Sequence, residues 1–149
     1  MAIARGAGTE ILRCASFEEI DGATSTIIYG VQHHIYTVLS VLFYSQAIQA
    51  AGNYVNMRLV GYDSKGGTTA QSMYIFRHDM NQQDTFVWDT KFSFNGFEPT
   101  DFVGPLDDAT KQDAIADQGS SVPQQLVVYT EHADDNFDVH LTYIDQNNA

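Results

Sequence analysis

The stretch His34-Ile-Tyr-Thr-Val-Leu-Ser-Val-Leu-Phe-Tyr-Ser-Gln-Ala47 decides the fold of this chain. It is a long run dominated by β-branched, aromatic and aliphatic residues, which are enriched in strands. A surface helix would repeat its polar residues along one stripe, and this run has no such repeat. The stretch therefore predicts the central strand of an antiparallel β fold, with the rest of the chain arranged around it.

Side chains at alternate positions of this strand should point to opposite faces. One set is almost wholly apolar and consists of Ile35, Thr37, Leu39, Val41 and Phe43. The other set mixes apolar side chains with phenol and hydroxyl groups and consists of Tyr36, Val38, Ser40, Leu42 and Tyr44. We expect the first set to face the core and the second to form a half-buried surface or an interface.

Shorter segments with strand character lie on both sides of the central strand, separated by turns that contain Gly, Asn and Asp. They are 9–16, 24–29, 54–62, 71–78, 85–94, 125–131 and 137–144. Within 85–94, the polar pair Asp89 and Thr90 indicates either two short strands or one bent strand. The prediction is an all-β fold, a single antiparallel β-sandwich of jelly-roll or immunoglobulin-like type, with about eight strands.

The chain has 149 residues, the size of one domain, and its 44% hydrophobic content is enough to bury a core. Residues 1–8 are small and glycine-rich, so we expect a flexible N-terminal arm ahead of a sandwich domain at 9–149. The segment 95–121 has no strand pattern, and a loop of this length is usually functional or mobile. Whether it is a lid, an interface arm or a disordered loop stays open.

The formal net charge of −12 disfavours polyanionic partners. Proteins bind nucleic acids by neutralising phosphates with Lys and Arg, so we expect neither nucleic-acid binding nor attachment to an anionic membrane surface. No apolar stretch approaches the ~20 residues of a membrane-spanning helix. Cys14 is the only cysteine, which excludes an intrachain disulfide and favours synthesis in the reducing cytoplasm.

Few residues are candidates for chemistry. His33 and His34 are neighbours that should point to opposite faces of a strand, which does not suit one metal ion. Asp134, Asp135 and Asp138 are weak candidates for a cation site, because hard cations bind several oxygens, although a solvated turn explains them more simply. No nucleophile elbow, P-loop or dinucleotide motif occurs, so we predict no catalytic residue, no cofactor and no enzyme activity.

The tyrosines and the single tryptophan predict an interface. They fall mostly on the less apolar side of their strands, and both residue types are enriched where proteins meet. The candidates are Tyr36, Tyr44, Tyr54, Tyr62, Tyr74 and Trp88, and Tyr129 shows the same pattern. The alternative is that these rings complete the core of the sandwich, and the sequence leaves both possibilities open.

Four blocks of the chain occur in an order that resembles small virion accessory proteins of tailed phages, particularly phages of marine bacteria and cyanobacteria. They are the opening residues 1–13, GVQHHIYTVLSV at 30–41, TFVWDTKFSF at 85–94 and DVHLTYID at 138–145. These motifs are strand patterns that span most of the chain, and none of them is an active-site motif. The resemblance implies a β-sandwich that decorates or completes a virus particle.

The function implied by this resemblance is a capsid decoration or cement protein outside the shell, with the major capsid protein or other virion proteins as partners. Such proteins commonly form dimers or trimers on symmetric sites. A neck, tail or fibre component is an alternative in the same class. A host-surface carbohydrate or receptor-binding module is a second, and a hydrolase ranks last. We therefore expect the protein in the virion after synthesis in the host cytoplasm.

Overall fold

The computed structural model describes residues 9–20, 24–48, 54–61, 72–97, 108–110, 123–132 and 134–147. These residues form two antiparallel sheets packed together, which confirms the predicted all-β sandwich. Their strands are β1 (Thr9–Ile20), β2 (Ser25–Tyr29), β3 (His34–Ala47), β4 (Tyr54–Val60), β5 (Ser72–Asp79), β6 (Thr85–Trp88), β7 (Phe92–Asn95), β8 (Gln125–Thr130) and β9 (Asn136–Asn147). The predicted arm at 1–8 and most of the predicted loop at 95–121 lie outside the described residues.

Sheet A has the order β1-β9-β3, and β3 pairs on its other side with β7 along its first part and with β6 along its second. The segment 85–94 therefore forms two short strands, the first of the two alternatives. Sheet B has the order β2-β8-β4-β5. The outer strand β1 pairs with β9 from Thr9 opposite Asn147 to Ile20 opposite Phe137.

The central strand β3 buries only part of the face that its alternation predicts. Val41 and Phe43 are fully buried, as expected. Nearer the start of the strand, however, the buried side chains are Tyr36 and Val38, which belong to the set expected on the half-buried face. The buried set therefore changes parity within the strand.

A β-bulge causes this change of parity. Leu39 is an extra residue between Val38, which pairs with Tyr143, and Ser40, which pairs with Thr142. One inserted residue sends all later side chains of a strand to the opposite face. Alternation holds on each side of the bulge but not across it, so part of the predicted core is wrong. The residues wrongly assigned to the core are Ile35, Thr37 and Leu39.

The core lies between the two sheets and is aliphatic and aromatic. Its largest fully buried side chains include Phe43, Phe137 and Met57. The ring of Phe43 meets Phe76 of sheet B edge-on at 5.4 Å and lies 6.3 Å from Phe86 of sheet A. Aromatic pairs at such distances contribute about 0.5–1.5 kcal/mol beyond the area that they bury. The central strand is thus attached to both sheets.

Backbone hydrogen bonds join the two sheets at one end of the sandwich. The N–H of Gly30 donates to the carbonyl of Gln124 at 2.8 Å, and the N–H of Gln124 donates to the carbonyl of Gly96 at 2.8 Å. The N–H of Gly96 donates to the carbonyl of His34 at 2.7 Å. A Cβ on Gly96 would lie 1.8 Å from the carbonyl oxygen of Val31. We call this arrangement of Gly30, Gly96 and Gln124 the glycine junction, and it requires the absence of a side chain at Gly96.

Candidate assembly interface

Two of the predicted interface residues lie on the inner face of sheet A. Tyr36 is 3% exposed, its ring lies 5.4 Å from that of Phe94, and its phenol oxygen accepts a hydrogen bond from the N–H of Val31 at 3.1 Å. Trp88 is half-buried and stacks on Phe76 at 5.2 Å. The interface role predicted for Tyr36 is wrong, because the bulge in β3 leaves this residue on the core side.

The other predicted aromatic residues are placed differently. Tyr44 is half-buried and pairs with Asp138 and Thr85 of the neighbouring strands of sheet A. Tyr62 lies outside the described residues. Tyr54 and Tyr74 belong to sheet B, and both lie on its outer face, as does Tyr129.

The outer face of sheet B is rich in tyrosine and arginine. On β4, the alternate side chains of Val55, Met57 and Leu59 enter the core, so those between them point to the opposite face. Pairing of β4 with β5 and β8 places Tyr74, Arg77 and Tyr129 beside them, together with Asp79 and Val127. We call this surface the Arg–Tyr face, and it consists of Tyr54, Asn56, Arg58, Tyr74, Arg77 and Tyr129.

Both arginines of the Arg–Tyr face lie against tyrosine rings. The guanidinium carbon of Arg77 is 3.8 Å from the centre of the Tyr54 ring. The guanidinium carbon of Arg58 is 5.5 Å from the Tyr74 ring and 5.4 Å from the Tyr129 ring. Contacts of this kind are attractive by about 0.5–1 kcal/mol at exposed positions. The side chains therefore hold one another in a defined arrangement before any partner binds.

The described hydrogen bonds of the two arginines use few of their N–H groups. One Nη of Arg58 donates to the hydroxyl of Thr24 at 3.3 Å. Among the described residues, the buried Nε of Arg58 and the Oδ1 of Asn56 have no hydrogen-bond partner. No ion pair joins either arginine to a carboxylate within the same described ranges. The guanidinium of the exposed Arg77 presents a planar set of donors that fits a carboxylate or a phosphate.

The Arg–Tyr face is accessible along β5, whereas Asn56 is 2% exposed and Tyr54, Arg58 and Tyr129 are half-buried. Tyr74 is 63% exposed and Arg77 is also exposed. Two of the chain's seven basic residues lie here although the net charge is −12, and Asp79 borders the face opposite Tyr54. Tyr and Arg, with Trp, contribute most of the binding energy at protein interfaces. The face therefore combines local positive charge with aromatic surface on an otherwise acidic protein.

Two of the three carboxylates predicted as a weak cation site accept hydrogen bonds from donors of the chain itself. Asp135 is 1% exposed and accepts a hydrogen bond from the N–H of His132 at 3.2 Å. Asp138 accepts from the amide of Gln46 at 2.6 Å and from the N–H of Glu19 at 3.2 Å. Asp134 is exposed in the turn. Within the part of the chain that the structure describes, no three His, Cys, Asp or Glu side chains are grouped to hold a metal ion.

In the same described residues, no helix is long and apolar enough to cross a membrane.

A charged cluster on the inner face of sheet A was not predicted. Asp145 is 7% exposed, accepts a hydrogen bond from Arg13 Nε at 3.0 Å and shares one with His34 Nδ1 at 2.6 Å. The three residues come from β9, β1 and β3, so only strand register brings them together. The single sequence signal is a carboxylate at a core position of the last strand.

The pKa of Tyr36 is raised from 10.0 to about 12, mainly by burial and secondly by the charge of Asp145. Because the folded pKa is the higher one, folding favours the neutral phenol. The stability that depends on a neutral Tyr36 is fully present at a pH below the pKa of the unfolded state. It is lost as the pH rises through the pKa of the folded state. The loss should reach about 2.7 kcal/mol for a shift of about two pKa units. The Tyr36→Phe variant has no ionisable phenol at this position. We therefore expect the free energy of unfolding of wild type to fall relative to that of the variant between about pH 9 and about pH 12, measured by denaturant unfolding of both proteins. A constant difference would contradict the assignment.

A cavity of about 410 Å³ lies at the same end of the sandwich as the glycine junction. Its walls are mainly apolar and include Leu59, Met73 and Phe94, with Gln124 contributing a polar group. Among the described residues that line it, none carries a carboxylate, a thiol or an imidazole.

No protein-family model and no curated protein sequence matches the chain. Among solved structures, a protein of Bacillus endospore appendages, described as disulfide-linked pili, aligns with a TM-score of 0.43 and 9% identity over 100% of this chain and 96% of that one. A chain of the infectious bursal disease virus Gx strain aligns with a TM-score of 0.42 and 8% identity over 94% of this chain, which spans 29% of the viral one. At these low TM-scores, neither alignment carries an argument. Since neither is described as a tailed-phage accessory protein, the resemblance seen in the sequence stays a prediction.

Proposed function

We propose that this chain is a structural protein of a virus particle and attaches to its neighbours through the Arg–Tyr face. The observation that supports the proposal is the pre-arranged contact of two arginines with three tyrosines, exposed to solvent at Tyr74 and Arg77. The solvated face of an antiparallel sheet is normally polar, with aromatic residues directed to the core. An aromatic and positive outer face is instead the composition of a binding surface.

Within this class we favour a capsid decoration protein bound outside the shell. The strand blocks that resemble tailed-phage accessory proteins support the class of particle. The net charge of −12 supports an external position, because packaged DNA repels an acidic protein. A neck, tail or fibre position is the alternative. Quantitative mass spectrometry of purified particles separates the two: a simple ratio to the major capsid protein identifies the shell, and a few per cent of it identifies the neck, tail or fibre.

Replacing Arg58 and Arg77 with glutamine should lower the occupancy of the protein in particles by at least about tenfold, since hot-spot residues each contribute more than about 1 kcal/mol. The substitutions remove charge and the donor fork but leave the core side chains unchanged. Lys91→Gln is the matched control, because Lys91 is basic and exposed but lies in the connection between β6 and β7. Circular dichroism should show intact folding of all variants. Unchanged occupancy of a folded Arg58→Gln/Arg77→Gln protein would refute attachment through this face.

A host-surface carbohydrate-binding role has one specific observation in its favour, the exposed ring of Tyr74 on this same face. The tryptophan favoured for stacking on a sugar is less suitable, because Trp88 already stacks on Phe76. Binding to a glycan array that is lost on Tyr74→Ala would support this second role, and absence of binding to any glycan would leave the assembly role alone.

A further inference from the structure

We infer that the Arg–Tyr face binds the acidic end of a second copy of this chain, an inference that rests on the proposed function and names the partner. The two surfaces adjoin where β4 begins, since the N–H of Glu131 bonds to the carbonyl of Tyr54. A single contact between the face of one copy and the end of another leaves one face and one end for further copies, and the same contact made twice about a two-fold axis closes a pair.

The acidic end is formed where β1, β3 and β8 finish and β9 begins. Pairing of β1 with β9 and the bond from the N–H of Glu19 to Asp138 bring these segments together. The N–H of Glu131 donates to the carbonyl of Tyr54 at 3.2 Å, and Ser45 of β3 bonds to the backbone of Asp84. The acidic end consists of Glu18, Glu19, Asp84, Glu131, Asp134 and Asp138, which are exposed or half-buried. The described segments 17–20, 44–48, 79–85, 130–132 and 134–138 contain no lysine or arginine.

The chemistry of the Arg–Tyr face suits a carboxylate. Both guanidinium groups lie near tyrosine rings, and the planar fork of an arginine binds a carboxylate with two parallel bonds. The face therefore favours an acidic partner.

The dimensions of the two surfaces also agree. The Arg–Tyr face runs from Tyr54 to Arg58 along β4 and crosses three strands, which gives roughly 13 Å by 10 Å at the usual strand spacings. The end of a sandwich is about 10 Å thick between its sheets.

The net repulsion between two acidic copies acts over longer distances than the contact itself. It is screened beyond about 8 Å at physiological salt, whereas charges in direct contact are screened less.

The test uses the purified chain and two sets of neutralising substitutions. The face variant is Arg58→Gln/Arg77→Gln, and the end variant is Glu18→Gln/Glu131→Gln/Asp134→Asn, all at positions outside the core. The matched control is Asp89→Asn/Lys91→Gln, which neutralises exposed charges away from both surfaces. Molar mass is measured by light scattering and by sedimentation over a series of concentrations.

Wild type and the control should self-associate with rising concentration, and each variant alone should associate at least about tenfold more weakly. A mixture of the two variants should form a one-to-one complex that does not grow, because only the face of one and the end of the other are intact. A monomeric wild type, or a mixture that does not pair, would overturn the inference. If wild type is monomeric while the face variant still loses its place in particles, the partner is a different acidic protein and the proposed function stands.

Discussion

The Gly96→Ala variant is expected not to fold stably. A methyl group at this position would lie 1.8 Å from the carbonyl oxygen of Val31 and 2.7 Å from its carbonyl carbon. These are backbone atoms, so relief requires the two segments to separate. Separation would break the bonds from Gly96 to His34 and from Gln124 to Gly96. We expect a loss above about 4 kcal/mol, at the upper end of single substitutions, measured as loss of the cooperative thermal transition in circular dichroism.

Ser93→Ala is the matched control for this prediction. Ser93 lies on the same strand, is exposed and contacts only the hydroxyl of Thr37 at 2.9 Å among its described side-chain hydrogen bonds. Its replacement should change stability by no more than about 1 kcal/mol, the net value of an ordinary hydrogen bond. A Gly96→Ala protein that unfolds at the wild-type temperature would show that the two segments do not approach as closely as described.

The second large effect is expected at the centre of the core. Phe43→Ala should destabilise the fold by about 3–5 kcal/mol, because it removes a fully buried ring and leaves a cavity that its neighbours fill only in part. The lost contacts include those to Phe76 of sheet B and Phe86 of sheet A. Denaturant unfolding followed by tryptophan fluorescence measures the change, since Trp88 stacks on Phe76.

Leu42→Ala provides the comparison for Phe43→Ala. Leu42 is the preceding residue and points to the outer face of sheet A, where it is half-buried. Removing it should cost about 1 kcal/mol, typical of a partly exposed side chain. If the two substitutions destabilise the protein equally, the side-chain orientation in the second half of β3 is wrong.

Strand positions were predictable because each strand is a local pattern of β-forming residues bounded by turn residues. The central role of β3 followed from its length and composition. The bulge at Leu39 was not predictable, because an extra residue leaves no mark in a run where both parities contain apolar side chains. The alternation rule therefore assigned Val41 and Phe43 correctly and Ile35 and Leu39 wrongly.

The candidate interface was predictable only in part. Tyr54 and Tyr74 were identified from the alternation of their own strands. The arginines were not, because the contact of Arg58 with Tyr129 depends on pairing between β4 and β8, segments far apart in the chain. The cluster of Arg13, His34 and Asp145 was missed for the same reason. Neither group forms a motif in the sequence, since strand register alone makes its members neighbours.

The antiparallel pairing of β1 with β9 has a mechanical consequence. Thr9 lies opposite Asn147, so the chain enters and leaves the described sandwich side by side at one end. Tension between these two points would open the ladder like a zipper, loading its hydrogen bonds one pair after another. A module tethered by both residues would yield at low force, whereas tension applied between Thr9 and the opposite end of β9 would load the whole ladder at once and meet much greater resistance.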